Sequence, residues 1–561
     1  MLRLSARFPG SMLPFVLAAC TPGTIVVGTD SADPADSATD SGTDTSETAD
    51  TADTGETGET DDPIGLLSFT IATGRASGTP DSVTLCVTAD ACFALDTPDW
   101  ADFVANRVDV FHVDARGLTR GDIDRVTLSA TGATLRPACV AVAANGVPVY
   151  TRALDVEVGP EEFIDTTLLV ETPGCFGAPV SHGPMVGAVG DTSARVWVRT
   201  DASHDVQLRI ATTEAGLAAA APILATPEAG HDFAAELVAE GLRSDTDYAW
   251  DLHVAGVRSG PFTLRTAPAS TSDTPVRVAF GSCSDDEAQP VFEAVTAEAA
   301  DLFLFVGDGH YGNTTDLAGQ RAWWRWAHAI PERAAFLTAT SILATWDDHD
   351  YAGDNTRADA PGKADALAAF AEYWPNPDAG TAETPGTFFR WRYGGIELFV
   401  LDDRYHHGED DSILGRAQTV WLLDALGDST ASGKLVVSGS QVTADRSTDS
   451  WFGFLEARAA LLAAIGDADI EGVVFLSGDV HRHEMRLDPG VGGPAFLEFT
   501  SSPLANSSTG CGAADEMFAC YGGNGYVVLD ITPGPSPWLQ ARIVDEDGET
   551  TASWEGDPTA P

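Results

Sequence analysis

LFLFVGDGHY, residues 302–311, decides the reading of this 561-residue chain. Five apolar residues in a row, with no polar alternation, are the pattern of a strand buried on both faces. The glycine that follows permits a sharp turn, so Asp308 and Tyr311 stand at the strand's carboxyl end. Five other stretches repeat the plan. VRVAFGSC ends at Cys283, and SILATWDDHD delivers Asp347, Asp348, His349 and Asp350. ELFVLDDR delivers Asp402, Asp403 and Arg404, LVVSGSQ ends at Gln441, and GVVFLSGDVHRH delivers Asp479, His481 and His483. In an open α/β sheet, ligands bind outside the carboxyl ends of the strands. Six such ends are expected to converge on one crevice, and their Cys, Asp, Tyr and His side chains compose a metal-assisted hydrolytic site.

Between these strands, apolar residues recur at i, i+3 and i+4. The segments are QPVFEAVTAEAA (289–300), LAGQRAWWRWAHAIPERAAFL (317–337), KADALAAFAEYW (363–374), RAQTVWLLDAL (416–426) and WFGFLEARAALLAAI (451–465). Strand–helix alternation predicts a layered α/β domain over 276–545, with GYVVLDITPG and PWLQARIVDEDG as late strands. Two all-β sandwich modules precede it. Residues 64–176 alternate apolar and polar positions with Gly, Asn and Asp punctuation, and VDVFHVDARGLTRGDIDRVTLSATG is weakly similar to PLAT/LH2 sandwiches. Residues 180–268 resemble a fibronectin-III-like fold, with Tyr248 as the corner tyrosine. APASTSDTP (267–275) reads as the boundary to the α/β domain.

The chain carries 84 Asp and Glu against 31 Lys and Arg, a formal charge of -53. That argues against a nucleic-acid-binding surface, because phosphate backbones need basic stripes. Phosphate chemistry survives the objection, since bound cations invert the local field. The span from Phe8 to Gly74 holds no Lys or Arg. Ahead of it, Arg3 and Arg7 precede MLPFVLAA (12–19), an apolar stretch too short to cross a bilayer. Leu17-Ala18-Ala19-Cys20 resembles a bacterial lipobox, so residues 1–20 are expected to be a lipoprotein signal with Cys20 lipidated. A plain secretory signal with an incidental cysteine is the alternative. Residues 21–63 bury too little apolar surface to fold and are expected to be an acidic disordered tether. Thr21 after the cysteine implies, by the same resemblance, the outer membrane or cell surface, with membrane contact through the lipid only.

Eight cysteines stand at 20, 86, 92, 139, 175, 283, 511 and 520. Setting aside Cys20 and Cys283 leaves six, an even number that suggests disulfides in an oxidising compartment. Close spacing favours Cys86–Cys92 and Cys511–Cys520, leaving Cys139 and Cys175. Other pairings stay open.

Asp308 is the centre of the expected site, because one carboxylate can bridge two cations. Cys283, beside it, is either a ligand or half of a disulfide. Thiolate and phenolate from Cys283 and Tyr311 suit Fe(III) better than Ca or Mg. Asp348 and His349 arrive in one turn, and an imidazole held by an acidic neighbour suits a general acid. Alternate residues of an extended segment share a side, which favours His481 as a ligand; His483 either supports it or lies at the surface. Arg404 reads as a fork for phosphate oxygens or, equally, as a partner of Asp402 or Asp403.

GSC (281–283), GDGHY (307–311), WDDHD (346–350), LDDR (401–404), LGRAQTVWLLDAL (414–426) with VSGSQ (437–441), and SGDVH (477–481) together resemble the PhoD-type alkaline phosphatases, within the metallophosphoesterases. The resemblance covers roughly 276–535, and the β module at 180–268 also fits it. It implies a phosphoester hydrolase using Fe(III) and Ca(II). Carried onto matching positions, the iron ligands are Cys283, Asp308, Tyr311 and His481, and the calcium ligands Asp308, Asp348 and Asp479. His349 would protonate the leaving oxygen, and Arg404 would counter charge on the phosphoryl group. Gly309, His310 and Asp350 depart from the family's usual residues, which bears on substrate range more than on the metal core. Release of phosphate from phosphomonoesters, and from phosphodiesters as an extension, is the expected activity. A surface phosphodiesterase on lipid or polymer substrates, or a non-catalytic surface binding protein, are the alternatives.

Overall fold

The computed structural model describes residues 64–559 apart from 65, 74–79, 96–107, 116, 133, 136, 145–146, 154–157, 160–162, 167–179, 201–202, 287, 444–448, 489–494 and 513–515. The expected signal, Cys20 and the tether lie outside the described residues, as does Cys175. No described helix is long and apolar enough to cross a membrane.

Over 64–166 the alternating segments form two four-stranded sheets. Phe69, Val83, Leu85, Leu128, Val140 and Val142 from both sheets share one buried cluster. Cys86 and Cys92 sit opposite each other across a hairpin and are disulfide-bonded. Cys139 is also disulfide-bonded.

Over 180–265 two further sets of strands enclose a second core around Val196, Leu208, Trp250 and Leu252. Tyr248 turns back so that its hydroxyl accepts the Arg243 backbone N–H at 2.9 Å. This is the contact that fixes the corner of such sandwiches.

The α/β region departs from a single open sheet. Strands Val276–Gly281, Leu302–Val306 and Ile342–Thr345 run parallel in a nine-stranded sheet. Ile396–Val400, Gly433–Val437 and Val473–Ser477 run parallel in a seven-stranded sheet. The six apolar runs are thus split three and three, and every residue of the five-residue strands Leu302–Val306, Ile396–Val400, Gly433–Val437 and Val473–Ser477 is buried. Alternate side chains of both sheets, among them Val278, Leu304, Leu398 and Leu476, meet in one inner core. The outer face of the nine-stranded sheet packs on Val291–Glu298, Leu317–Ala329, Pro331–Ala339 and Lys363–Tyr373. Gly415–Asp428 and Leu455–Asp467 cover the outer face of the other. A strand buried on both faces has no polar side to show, which is why the sequence reads as runs.

Two boundaries move. The helix expected over 317–337 breaks at Ile330, whose ψ of 121° before Pro331 follows from the clash of the proline ring with helical geometry at the preceding residue. The nine-stranded sheet continues past 545 into Thr550–Gly556. At its other end it takes in strands of the second β module, because Val180–Gly187 pairs in parallel with Ile342–Thr345.

Candidate metal centre

The strand ends open on the same side, and glycine lets them meet. Gly307 has φ 89°, and a Cβ there would lie 2.4 Å from the Asp347 Cβ. At Gly478 a Cβ would lie 2.5 Å from the Ser282 hydroxyl. The residues that follow bend the chain into left-handed backbone: Cys283 at φ 61°, Asp308 at 51°, Asp479 at 71° and His481 at 54°. Each such non-glycine position costs roughly 1–2 kcal/mol. Left-handed residues of this kind gather where a surrounding framework holds them for chemistry.

The structure brings together six of the expected ligands. Cys283 is the free cysteine of the described chain, fully buried, with its Sγ 3.4 Å from Asp308 Oδ2. Ser502 donates to the same sulfur at 3.2 Å. Tyr311 donates its hydroxyl to Asp308 Oδ2 at 3.3 Å and lies 3.0 Å from His481 Nε2. Asp308 Oδ1 accepts the His349 backbone N–H at 3.2 Å. One ligand atom from each of Asp308, Asp348 and His349 falls within 4.8 Å of the others. Asp479 adds its charge to this group, and the Cys283 thiol lies 3.8 Å from the Asp479 carbonyl.

The electrostatics fit a cation. Burial, then the carboxylates of Asp348, Asp347, Asp350 and Asp479, push the Asp308 carboxyl well above its usual range. Burial and Asp348 push Asp479 to about 7. Burial and Asp308 likewise hold the Cys283 thiol and, with Cys283, the Tyr311 phenol far above their usual values. Such groups ionise together only around positive charge. Asp348 Oδ1 is buried with no hydrogen-bond partner. Burial lowers the His481 pKa, which keeps its imidazole neutral and able to ligate. The donor set therefore fits metal ions.

Arg404, expected on phosphoryl oxygens or beside Asp402 or Asp403, lies under the site. It is 1% exposed. Its guanidinium pairs with Asp347 and Asp449, takes Ser440 Oγ at 3.2 Å, and stands 3.9 Å from Asp348 Oδ2. Asp402 accepts only the Arg404 backbone N–H among that residue's groups, at 2.9 Å. Burial alone would raise the Asp348 carboxyl, but Arg404 and His349 hold it below the usual range. His483 is buried between Ser501 and the Gly523 carbonyl, and burial lowers it to about 4. It is a support and not a surface residue. Gln441 is likewise buried, donating to Glu484 and Thr500 at 3.0 and 2.9 Å. Asp350 holds the two main loops together, accepting from the Asp347 and Gly309 backbone N–H groups at 2.7 and 2.8 Å. Arg333 grips the same residue through its other backbone group, donating to the Gly309 carbonyl at 2.7 Å.

Several contributors escape a reading of strand ends. Asn313 and Asp449 lie in loops with no periodic signal. Ser502 follows a seventh strand, Phe496–Thr500, whose central Glu498 breaks the apolar run; that carboxylate is buried and accepts from Ser477 and Val442. Thr509 donates its N–H to the His481 carbonyl at 2.6 Å, from the loop before the Cys511–Cys520 disulfide.

Two packed sheets with outer helices and metal-type residues at their carboxyl ends define a metallophosphoesterase fold. Residues 278–520 match the family model for PhoD-like phosphatases, and residues 177–272 match a domain of unknown function, DUF7800. The α/β domain is thus similar to the PhoD-like phosphatases. Alkaline phosphatase D of Bacillus subtilis (strain 168) is 25% identical over 320 residues, 46% of this chain and 54% of that protein. The chain thus matches about half the length of that curated relative. The solved structure of PhoD superposes with a TM-score of 0.57 at 19% identity, covering 68% of this chain and 89% of its own. A purple acid phosphatase, PPD1 of yellow lupin, gives 0.53 at 10% identity, covering 88% and 90%. At these identities the two structures speak for the fold.

Proposed function

We propose that the protein is an exported, metal-dependent phosphoester hydrolase that releases phosphate from phosphomonoesters, with phosphodiesters within reach of the same site. The convergence of Cys283, Asp308, Tyr311, Asp348, Asp479 and His481 inside a PhoD-like domain carries this reading. Cys283, Asp308, Tyr311 and His481 suit Fe(III), and Asp308, Asp348 and Asp479 suit Ca(II). When bound, such cations would hold phosphoryl oxygens and lower the pKa of a coordinated water toward about 7. His349 is 20% exposed on its side chain and stands beside Asp308 and Asp348. It protonates the leaving oxygen. Arg404 has no free face for substrate; it is a positioning residue that holds Asp347 and Asp348.

Metal analysis of the purified protein, with assays on p-nitrophenyl phosphate and its bis ester, tests this. Iron and calcium are expected, with a visible absorption band that Tyr311→Phe removes. A colourless, iron-free and fully active enzyme overturns the iron assignment. A metal-replete protein inert toward both esters overturns the activity.

Export is supported by the disulfides at Cys86–Cys92 and Cys511–Cys520, which persist in oxidising compartments. Lipid anchoring at Cys20 at the outer membrane or cell surface is proposed on Leu17-Ala18-Ala19-Cys20 alone. Cys20→Ser is expected to release the protein from salt-washed membranes with its specific activity intact; a variant that still pellets refutes the anchor.

A further inference from the structure

Asn313 follows the GDGHY loop and has φ 46°, left-handed backbone that asparagine tolerates better than most residues. Its side chain is clamped at both ends. The amide Nδ2 donates to the Tyr311 carbonyl at 3.2 Å, and Oδ1 lies 2.7 Å from His349 Nδ1. A carbonyl oxygen only accepts, so the NH2 group must face Tyr311 and the amide oxygen must face His349. That oxygen also only accepts, so His349 Nδ1 carries the hydrogen. The backbone repeats the link, with the Asn313 N–H donating to the His349 carbonyl at 3.3 Å. Across the ring, the Tyr311 phenol packs on the imidazole at 4.1 Å between centroids.

We infer that Asn313 is a positioning residue that fixes the His349 tautomer and ring plane, so that Nε2 is the one atom through which His349 passes a proton. The inference rests on the general-acid reading of His349 and adds the residue that enforces it. With Nδ1–H committed to Asn313, the proton that moves to the leaving oxygen departs from Nε2. The ring is left neutral with Nδ1–H in place. Leaving-group dependence follows. An alkoxide needs that proton in the transition state, whereas p-nitrophenolate leaves without it. General-acid catalysis is worth about 10²–10⁴-fold where it is needed.

Asn313→Gly tests this, because glycine accepts the left-handed backbone and removes only the amide. In the metal-free protein, nitrogen-15 NMR of the imidazoles is expected to show His349 Nδ1 as the protonated nitrogen in the wild type. In Asn313→Gly the two tautomers should mix, while Asn313→Asp, which keeps an acceptor oxygen, should restore the wild-type pattern. In the metal-loaded enzyme, kcat on an alkyl phosphate is expected to fall about tenfold or more. The loss on p-nitrophenyl phosphate should be smaller by at least that factor, with metal content unchanged. An unchanged tautomer in Asn313→Gly overturns the inference. So does equal loss on both esters, which marks Asn313 as merely structural. Wild-type protein inert toward both esters refutes the hydrolase reading instead, and the NMR result then still decides whether Asn313 sets the tautomer.

Discussion

Asp308→Asn is expected to abolish phosphoester hydrolysis, lowering kcat/KM by roughly 10³-fold or more, about 4 kcal/mol of barrier. The same change should leave the metal-free protein as stable as the wild type or more so. Asp308 sits at the point where Cys283, Tyr311 and the Asp348 group meet, and it belongs to both sets of proposed ligands. Asn keeps the shape and one oxygen but supplies no negative bridge. Without cations the cluster repels itself. Asp308, Asp479 and Asp350 are all held above their unfolded values, Asp479 and Asp350 at about 7. Their neutral forms are compatible with the fold at low pH, and that stability is lost as pH rises through the folded values. Metal-free wild type should therefore lose more stability between pH 5 and 8 than metal-free Asp308→Asn. Assays, metal content and melting curves at the two pH values check this. Near-wild-type turnover with metals bound would rule the bridge out.

Arg404→Met is expected to destabilise the protein by about 3–5 kcal/mol, the usual cost of removing one partner from a buried ionic cluster. The guanidinium is enclosed by Asp347, Asp449, Asp348 and Ser440. Its loss removes the guanidinium that Asp347, Asp348 and Asp449 share. Asp348, held below its usual range partly by Arg404, would then rise, and metal affinity should fall with stability. Urea unfolding and metal titration measure the two losses. A variant with wild-type stability but a specific defect in phosphate binding would return Arg404 to the substrate, against its burial.

The contrast between Asp308 and Arg404 shows where the sequence was informative. A polar residue just past a buried strand announces itself, because a run such as LFLFV fixes the strand and the turn after it lies at the crevice. The placement of Cys283, Asp308, Tyr311, Asp348, Asp479 and His481 just past the strands was legible on that rule. The partners of a buried charge were not. Arg404 follows two aspartates in the chain, yet it pairs with Asp449 from another loop and with Asp347, which only the approach of the two sheets brings there. The division of six similar strands between two sheets was hidden for a related reason: a strand covered on both faces reads alike in either sheet. Asn313 gave no signal either, since its role depends on a left-handed backbone and an amide orientation that composition does not encode.

The pairing of Val180–Gly187 with Ile342–Thr345 bears on any attempt to produce the α/β domain by itself. In the whole chain the Ala188 N–H also donates to the Ile342 carbonyl at 3.1 Å, and all four residues of Ile342–Thr345 are buried. A fragment cut in the 267–275 segment would turn that strand into a bare edge. It carries no lysine, proline or bulge to discourage a neighbour, so it would offer an open template for strand addition between molecules. The second β module thus acts as a selvedge, the woven margin that keeps the sheet carrying WDDHD from unravelling into aggregates.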